Sequence, residues 1–257
     1  MTGGSVLLVV PTLGERLDYL EQTLASIAAQ EHAGLSVLVV GPGTGDGARG
    51  LAERFGHRYV DETGRSLSAA IVQGWAETEA LRADVLAWLG DDDLLAPGAV
   101  ARATAALAEH PDAPMVYGRC RYIDADGTEI FTARPGRIAV WFSRFGQDVI
   151  PQPGSFQRAS AVRAVGGVDA GLRYAMDLDL FLRLRREGRF VYLPHTQAAF
   201  RLHPTSLTMS NAEPGVEAAM VRERYLGPVG RALLPVSRPV FRVAAKVWAA
   251  LQWRHLV

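Results

Sequence analysis

The chain has one cysteine, Cys120, so no disulfide can form within it, and no Cys/His set of the kind that holds zinc is present. Neither sign of charge is in excess. Lys+Arg and Asp+Glu stand at 27 each among 257 residues, so no bulk field draws the protein to nucleic acid, and no nucleic-acid partner is expected. No run approaches the ~20 uninterrupted apolar residues of a membrane-spanning helix. The apolar stretch VLLVVP near the start is too short for a signal peptide and follows no basic segment, which places the protein in the cytoplasm as an expectation. Ser155 and Ser160 lack the Gly-x-Ser-x-Gly setting of a serine nucleophile, and neither internal repeats nor low-complexity tracts occur.

What is present is a globular composition, 49% apolar and 21% charged, long enough for one large domain or one and a half. SVLLVVP (5–11) and LSVLVVG (35–41) read as strands buried on both faces. Between them Leu17, Leu20, Leu24 and Ile27 recur at helical spacing. ARGLAERF reads as a helix, HRYVDE as a strand, LSAAIVQGWAETEA as one helix, and DVLAWL (84–89) as another buried strand. This alternation is the pattern of βαβ units. The expected class is therefore α/β, a Rossmann-like, mostly parallel sheet flanked by helices. PGAVARATAALAEHP (97–111) reads as a helix opened by Pro97, and MVYGRCRYIDADGTEI as a hairpin turning at DADG. The segment ARPGRIAVWFSRFGQDVIPQPGS reads as surface over the sheet, SAVRAVGGVD as a short helix, MDLDLFLRLRREG as a helix closed by Gly188, and RFVYLP as a final strand.

Asp91, Asp92 and Asp93 follow the strand at 84–89, and ligands of open α/β sheets bind outside the carboxyl ends of strands. Two readings compete. One Asp caps the next helix while the others are solvated, or the acids hold a divalent cation shared with substrate phosphates.

WLGDDDLLAPGAV resembles the DXD segment of the family 2 glycosyltransferases of the GT-A fold, often a Trp-Leu-Asn-Ser-Asp-Asp run before a Pro-Gly turn. Four further segments are similar to family motifs in the same order: VVPTLGE, VLVVGPGTGDG, IPQPGSFQRASAVRAVGGVD and YAMDLDLFLRL. The resemblance spans roughly residues 5–210. It implies an inverting transferase that moves a sugar from a nucleotide-diphosphate donor to a saccharide or lipid-linked acceptor, in polysaccharide, glycolipid or glycoconjugate synthesis of the cell envelope. It places Pro11, Thr12, Glu15 and Asp46 at the nucleotide, Asp91 and Asp92 toward the sugar or ribose, and Asp93 at a Mg²⁺ or Mn²⁺ ion. His203, in FRLHPTSLTMS, joins the metal or the diphosphate, with Arg201 nearby on the strand. Asp177 takes the place of the general base that deprotonates the acceptor hydroxyl. An acid near a helix N-terminus is also favoured by the macrodipole, and Asp179 reads as structural. A metal at the leaving group also separates this reading from a glycosidase, which needs a carboxylic acid there.

The chain departs from the family at Gly41 and Pro42, where an acid usually recognises the base, and at Val72 and Gln73, where Asn and a basic residue are common. The resemblance divides the chain into a transferase domain, 1–213, with a nucleotide-binding half to about 95 and an acceptor half from about 96, and a C-terminal amphipathic helical tail, 214–257. Within the tail, Arg238, Arg242 and Lys246 recur every four residues, and 229–257 holds no acid. That stripe fits a helix lying on an anionic membrane, a peripheral contact at its inner face, or one docked on protein. Two other functions stay open: a sugar-nucleotide nucleotidyltransferase, although PTLGER lacks the Lys of such phosphate loops, and a non-catalytic nucleotide-binding module.

Overall fold

In a computed structural model of the chain, the residues described are 4–44, 46–137, 139–140, 149–204, 206 and 213–226. The expected tail stripe at 229–257 and most of the segment at 138–148 lie outside them.

Strand β1 (Val6–Pro11) is buried along its whole length. It pairs in parallel with β2 (Leu35–Gly41) on one side and β4 (Val85–Trp88) on the other, and β3 (Arg58–Asp61) lies outside β2. Such strands must be apolar on both faces, which is why their sequences read as unbroken Val/Leu runs. Alternate residues face two cores. Leu7, Val9, Leu38, Val40, Leu86 and Trp88 point to one, Val6, Leu8, Val10, Val37, Val39, Val85 and Ala87 to the other. Against the second core lie α1 (Leu17–Ala28) through Leu20, Leu24 and Ile27, α2 (Asp46–Arg54), and α5 (Ala99–Glu109) through Val100, Ala103 and Leu107. Against the first lies α3 (Leu67–Ala76), which Ser66 caps by accepting the Ala69 N–H at 3.1 Å. The result is a three-layer α/β fold, with about 1.5–3 kcal/mol from each fully buried Leu or Val before entropy is set against it.

The helix expected over 67–80 is two. Glu77 turns extended, its carboxylate accepts from Arg58 at 2.8 Å, and α4 (Thr78–Arg82) follows. Helix α5 begins at Ala99 after Gly98, whose φ of 70° is the left-handed conformation that favours glycine.

Among the described residues the sheet has nine strands in the order β3-β2-β1-β4-β8-β6-β9-β5, with β7 also on β6. The half after β4 is mixed: β8 (Phe156–Arg158) runs antiparallel between β4 and β6, β6 (Met115–Ile123) and β7 (Glu129–Ala133) form the expected hairpin, and β5 (Leu94–Leu95) is antiparallel to β9. Asp124 shapes the hairpin turn by accepting the N–H groups of Asp126 and Thr128 at 3.0 and 2.8 Å. The last strand, β9 (Val191–Arg201), is longer than the expected RFVYLP. Its register on β6 slips between Leu193 and Thr196, so Pro194, which has no N–H to give, bulges out with His195 and the ladder resumes. That resumption carries the chain to Arg201 and His203. Helix α6 (Ala159–Ala164) follows β8, and α7 (Met176–Leu184) and α8 (Glu213–Tyr225) complete the layer on the first core.

Candidate active site

The chain builds β1, β2 and β3 outward in one direction and then returns to place β4 on the other side of β1. The carboxyl ends of β1 and β4 therefore flank a topological switch point, where neighbouring connections diverge and leave a crevice. Thr12 stands at one lip and the three acids at the other. The Thr12 hydroxyl donates to Asp91 Oδ2 at 2.5 Å and accepts the Gly14 N–H at 3.0 Å, which ties the two strand ends together.

Arg16, at the end of the β1–α1 turn, supplies the positive charge. Its guanidinium lies 3.3 Å from Asp91 Oδ1 and 3.8 Å from Asp92 Oδ2, and its Nη1 is 3.2 Å from His203 Nε2. The same His203 nitrogen is 2.8 Å from Asp92 Oδ2, and Tyr19 packs against the imidazole with ring centroids 5.4 Å apart. Burial pushes the Asp91 carboxyl above its usual range; the Thr12 hydroxyl opposes this, Asp92 adds to it, and Arg16 opposes it. Three acids in sequence are thus tolerated in part because a guanidinium stands among them.

Asp93 turns the other way. It is 3% exposed, and its Oδ1 accepts the backbone N–H of Arg201 at 2.9 Å. Burial raises its carboxyl well above the ordinary value, with Asp92 adding to the rise and the Arg201 N–H opposing it. Arg201 itself is 1% exposed. Its guanidinium donates to the carbonyls of Asp92 and Ala125 and to Gln22 Oε1 at 2.8–2.9 Å, and lies over the Tyr19 ring, 4.5 Å from the centroid. One buried cation therefore joins the acid loop, α1, the β6–β7 turn and β9. The bland reading of these acids as helix caps does not describe them, since Gly98 precedes α5 and no side chain caps it.

The chemistry of the donor set decides whether a divalent ion fits. Asp92 Oδ2 and His203 Nε2 are 2.8 Å apart, near the ~3 Å edge of an octahedron with ligands at about 2.1 Å. Among the described residues no group of three His, Cys, Asp or Glu side chains is placed to hold a metal. The pair suits an ion that takes its remaining ligands from phosphate and water, as Mg²⁺ commonly does.

Asp177 is the second residue of α7. It is partly buried, and its Oδ1 accepts the Leu178 N–H at 2.7 Å. Its pKa is pushed up to about 6, chiefly by burial and also by the negative Glu217, against the pull of backbone N–H groups. Asp179, two residues on, is consumed by structure: Arg183 Nε donates to it at 2.8 Å and the Tyr225 hydroxyl at 2.6 Å. Ala175 and Met176 share the apolar cluster of Trp88, so α7 starts on the core that carries β4.

Of the other expected residues, Pro11 is buried at the end of β1, Glu15 is exposed, and Asp46 is the first residue of α2. At Gly41 a Cβ would stand 2.5 Å from the Tyr59 hydroxyl and 2.8 Å from Thr12 Cγ2. The Tyr59 hydroxyl donates to the Pro42 carbonyl at 2.9 Å. No carboxylate fits at position 41, because Tyr59 and Thr12 fill its space. Gln73 is also committed: it donates to the Asp61 carbonyl at 2.7 Å and accepts the Thr63 N–H at 2.8 Å. Sequence reasoning gave no role to Arg16 or Glu217. Arg16 carries a local signal, since a cation directly before α1 faces whatever occupies the crevice; Glu217 carries none.

A sheet reversing between β1 and β4, with an acid cluster at the reversal, is the arrangement of the GT-A glycosyltransferase fold, and the family match assigns the chain to that class. The chain belongs to glycosyl transferase family 2, whose model matches residues 7–162. A comparison with curated proteins found no match. Among solved structures, the fold is similar to Staphylococcus aureus TarS 1-349 in complex with UDP-GlcNAc, with a TM-score of 0.63 at 14% identity. That match covers 84% of this chain and 65% of the TarS chain, so the chain spans less than two thirds of it. It is also similar to the mannosyltransferase PcManGT from Pyrobaculum calidifontis in complex with GDP-Man and Mn²⁺, with a TM-score of 0.58 at 19% identity over 96% of this chain and 78% of that one. No helix among the described residues is long and apolar enough to cross a membrane.

Proposed function

We propose that this glycosyltransferase moves a sugar from a nucleotide-diphosphate sugar to an acceptor hydroxyl with inversion at the anomeric carbon. The observation that carries the reading is the convergence of Thr12, Arg16, Asp91, Asp92 and His203 at the β1/β4 switch point. The UDP-GlcNAc and GDP-Man in the two similar structures support a donor of this chemistry. Asp92 and His203 would hold Mg²⁺ or Mn²⁺, Asp92 in place of the expected Asp93, whose carboxylate is turned to the Arg201 N–H, and the ion would supply Lewis-acid neutralisation of the departing diphosphate. Arg16 adds a fixed positive charge on the same side. Asp93 and Arg201 keep the acid loop in place. Asp177 removes the proton of the acceptor hydroxyl as it attacks; a pKa of about 6 leaves it mostly ionised at neutral pH yet a better base than an ordinary Asp. One base and one stabilised leaving group make a single displacement, hence inversion. The reading assigns Asp46 and Glu15 to the nucleotide side, supported only by their likeness to family motifs. The basic, apolar sequence at 229–257 supports peripheral contact with an anionic membrane and a lipid-linked acceptor.

The test is thermal stability of the full chain with UDP, GDP, dTDP, CDP and ADP, each with and without Mn²⁺, since a ligand of the native state raises apparent stability. One diphosphate should stabilise the chain only with Mn²⁺, and Asp92→Asn or His203→Ala should abolish that dependence. Absence of a shift with every diphosphate at millimolar concentration would overturn the donor assignment; an undiminished Mn²⁺ effect in both variants would remove Asp92 and His203 from the metal.

A further inference from the structure

Helix α7 starts without a side-chain cap of its own: Ala175 stands at its N-cap position and offers none. The N–H groups just before it are nevertheless satisfied, by a residue more than forty positions away. Glu217, on α8, accepts the Arg173 N–H on Oε1 at 2.9 Å and the N–H groups of Tyr174 and Ala175 on Oε2 at 2.5 and 2.7 Å. Three consecutive amides converging on one carboxylate form an anion-holding concavity, and here the anion is part of the protein. Helix α8 is held to α7 at its other end as well. The Tyr225 hydroxyl donates to Asp179, Arg224 lies 3.3 Å from Asp169, and Val221 is fully buried in the core beneath both helices.

We infer that Glu217 is a positioning residue for Asp177: it fixes the turn that feeds α7, and so fixes where the carboxylate of Asp177 points. The inference rests on the reading of Asp177 as the base. Among the described residues the charge that acts on Asp177 is Glu217 on α8; Asp179, two residues on in the same helix, is engaged by Arg183 and Tyr225, and Arg173, in the turn before α7, lies over the Tyr174 ring. Glu217 is, among the described residues, the negative neighbour whose carboxylate is held by backbone N–H groups rather than by a cation of α7. Its charge raises the Asp177 carboxyl, so its removal should lower the pH at which Asp177 ionises.

Glu217→Gln keeps the shape and one acceptor oxygen but loses the charge; Glu217→Ala loses both. The experiment uses full-length protein with ¹³C-carboxyl-labelled Asp, the Asp177 resonance assigned from its absence in Asp177→Asn. It follows the Asp177 titration, the hydrogen exchange of the Arg173, Tyr174 and Ala175 amides, and release of nucleoside diphosphate from UDP-GlcNAc and GDP-mannose. In Glu217→Gln the Asp177 midpoint should fall, moving the acid limb of any turnover to lower pH. In Glu217→Ala the three amides should also lose protection, and turnover should fall about a hundredfold with donor KM unchanged. An unchanged Asp177 midpoint with unchanged amide protection in both variants would overturn the role of Glu217. Wild-type turnover in Asp177→Asn would instead overturn the base reading, which keeps the two failures distinguishable.

Discussion

Replacing Asp177 by Asn removes a charge that the fold holds unfavourably, and the size of the effect follows from the site. Its carboxyl titrates at about 6 rather than the model-peptide 3.8, which at 1.36 kcal/mol per unit corresponds to about 3 kcal/mol. Asp177 keeps some contact with solvent, so about 1–2 kcal/mol is the expected net effect. The sign follows from proton linkage. The native state binds the Asp177 proton more tightly than the unfolded chain, so wild-type stability falls as pH rises from about 4 to about 6, and the deficit persists above that range. Asn never ionises, and its side-chain oxygen can still accept the Leu178 N–H that Asp177 accepts now. The variant should therefore be more stable than wild type at pH 7.5, by a few degrees in Tm, and the gap should close by pH 4. Thermal denaturation of both proteins by circular dichroism at pH 7.5, 5.5 and 4 measures this without any substrate. A variant no more stable than wild type at pH 7.5, or a gap that does not shrink at pH 4, would refute the reasoning. Loss of turnover alongside gained stability would mark the trade expected where a charge is kept for chemistry.

Arg201→Met should lose about 3–5 kcal/mol, because it leaves the carbonyls of Asp92 and Ala125 and Gln22 Oε1 without their buried donor and removes a positive charge that opposes the rise of the Asp93 carboxyl. Adding Asp93→Asn should restore part of that loss in urea denaturation; a single variant within about 1 kcal/mol of wild type would contradict the role given to Arg201. Gly41→Ala should destabilise by about 1–3 kcal/mol through overpacking against Tyr59 and Thr12, and Tyr59→Phe in the same chain should recover part of it by deleting the hydroxyl. Equal losses in Gly41→Ala with and without Tyr59→Phe would show that the hydroxyl is not the obstacle.

Much of the first half of the fold was legible because its signals are local. Strands β1, β2 and β4 must be apolar on both faces, and α1 must carry a stripe, so their composition states their burial directly. The hairpin of β6 and β7 was legible from the same kind of signal, since Asp124 and Gly127 make the turn from within the turn. The second half was less so. Pro194 argued for the end of a strand, and only pairing with β6 on one side and β5 on the other makes it worthwhile for β9 to bulge there and continue. The break at Glu77 comes with an ion pair to β3, which helical periodicity cannot register.

At the site the sequence by itself determined the inventory: acids after a buried strand, a Thr after the first strand, a His after the last, and an Asp at the start of a helix. These are properties of short segments, and each motif held its own chemistry before the chain folded. Only the tertiary structure decided how the inventory was used. Register and topology turn Asp91 and Asp92 to Arg16 and His203 but Asp93 inward to Arg201, and they bring Glu217 to the amides before α7. Adjacent residues with identical side chains are told apart by which partners surround them, and those partners are 75 to 111 residues away, beyond the reach of any local pattern.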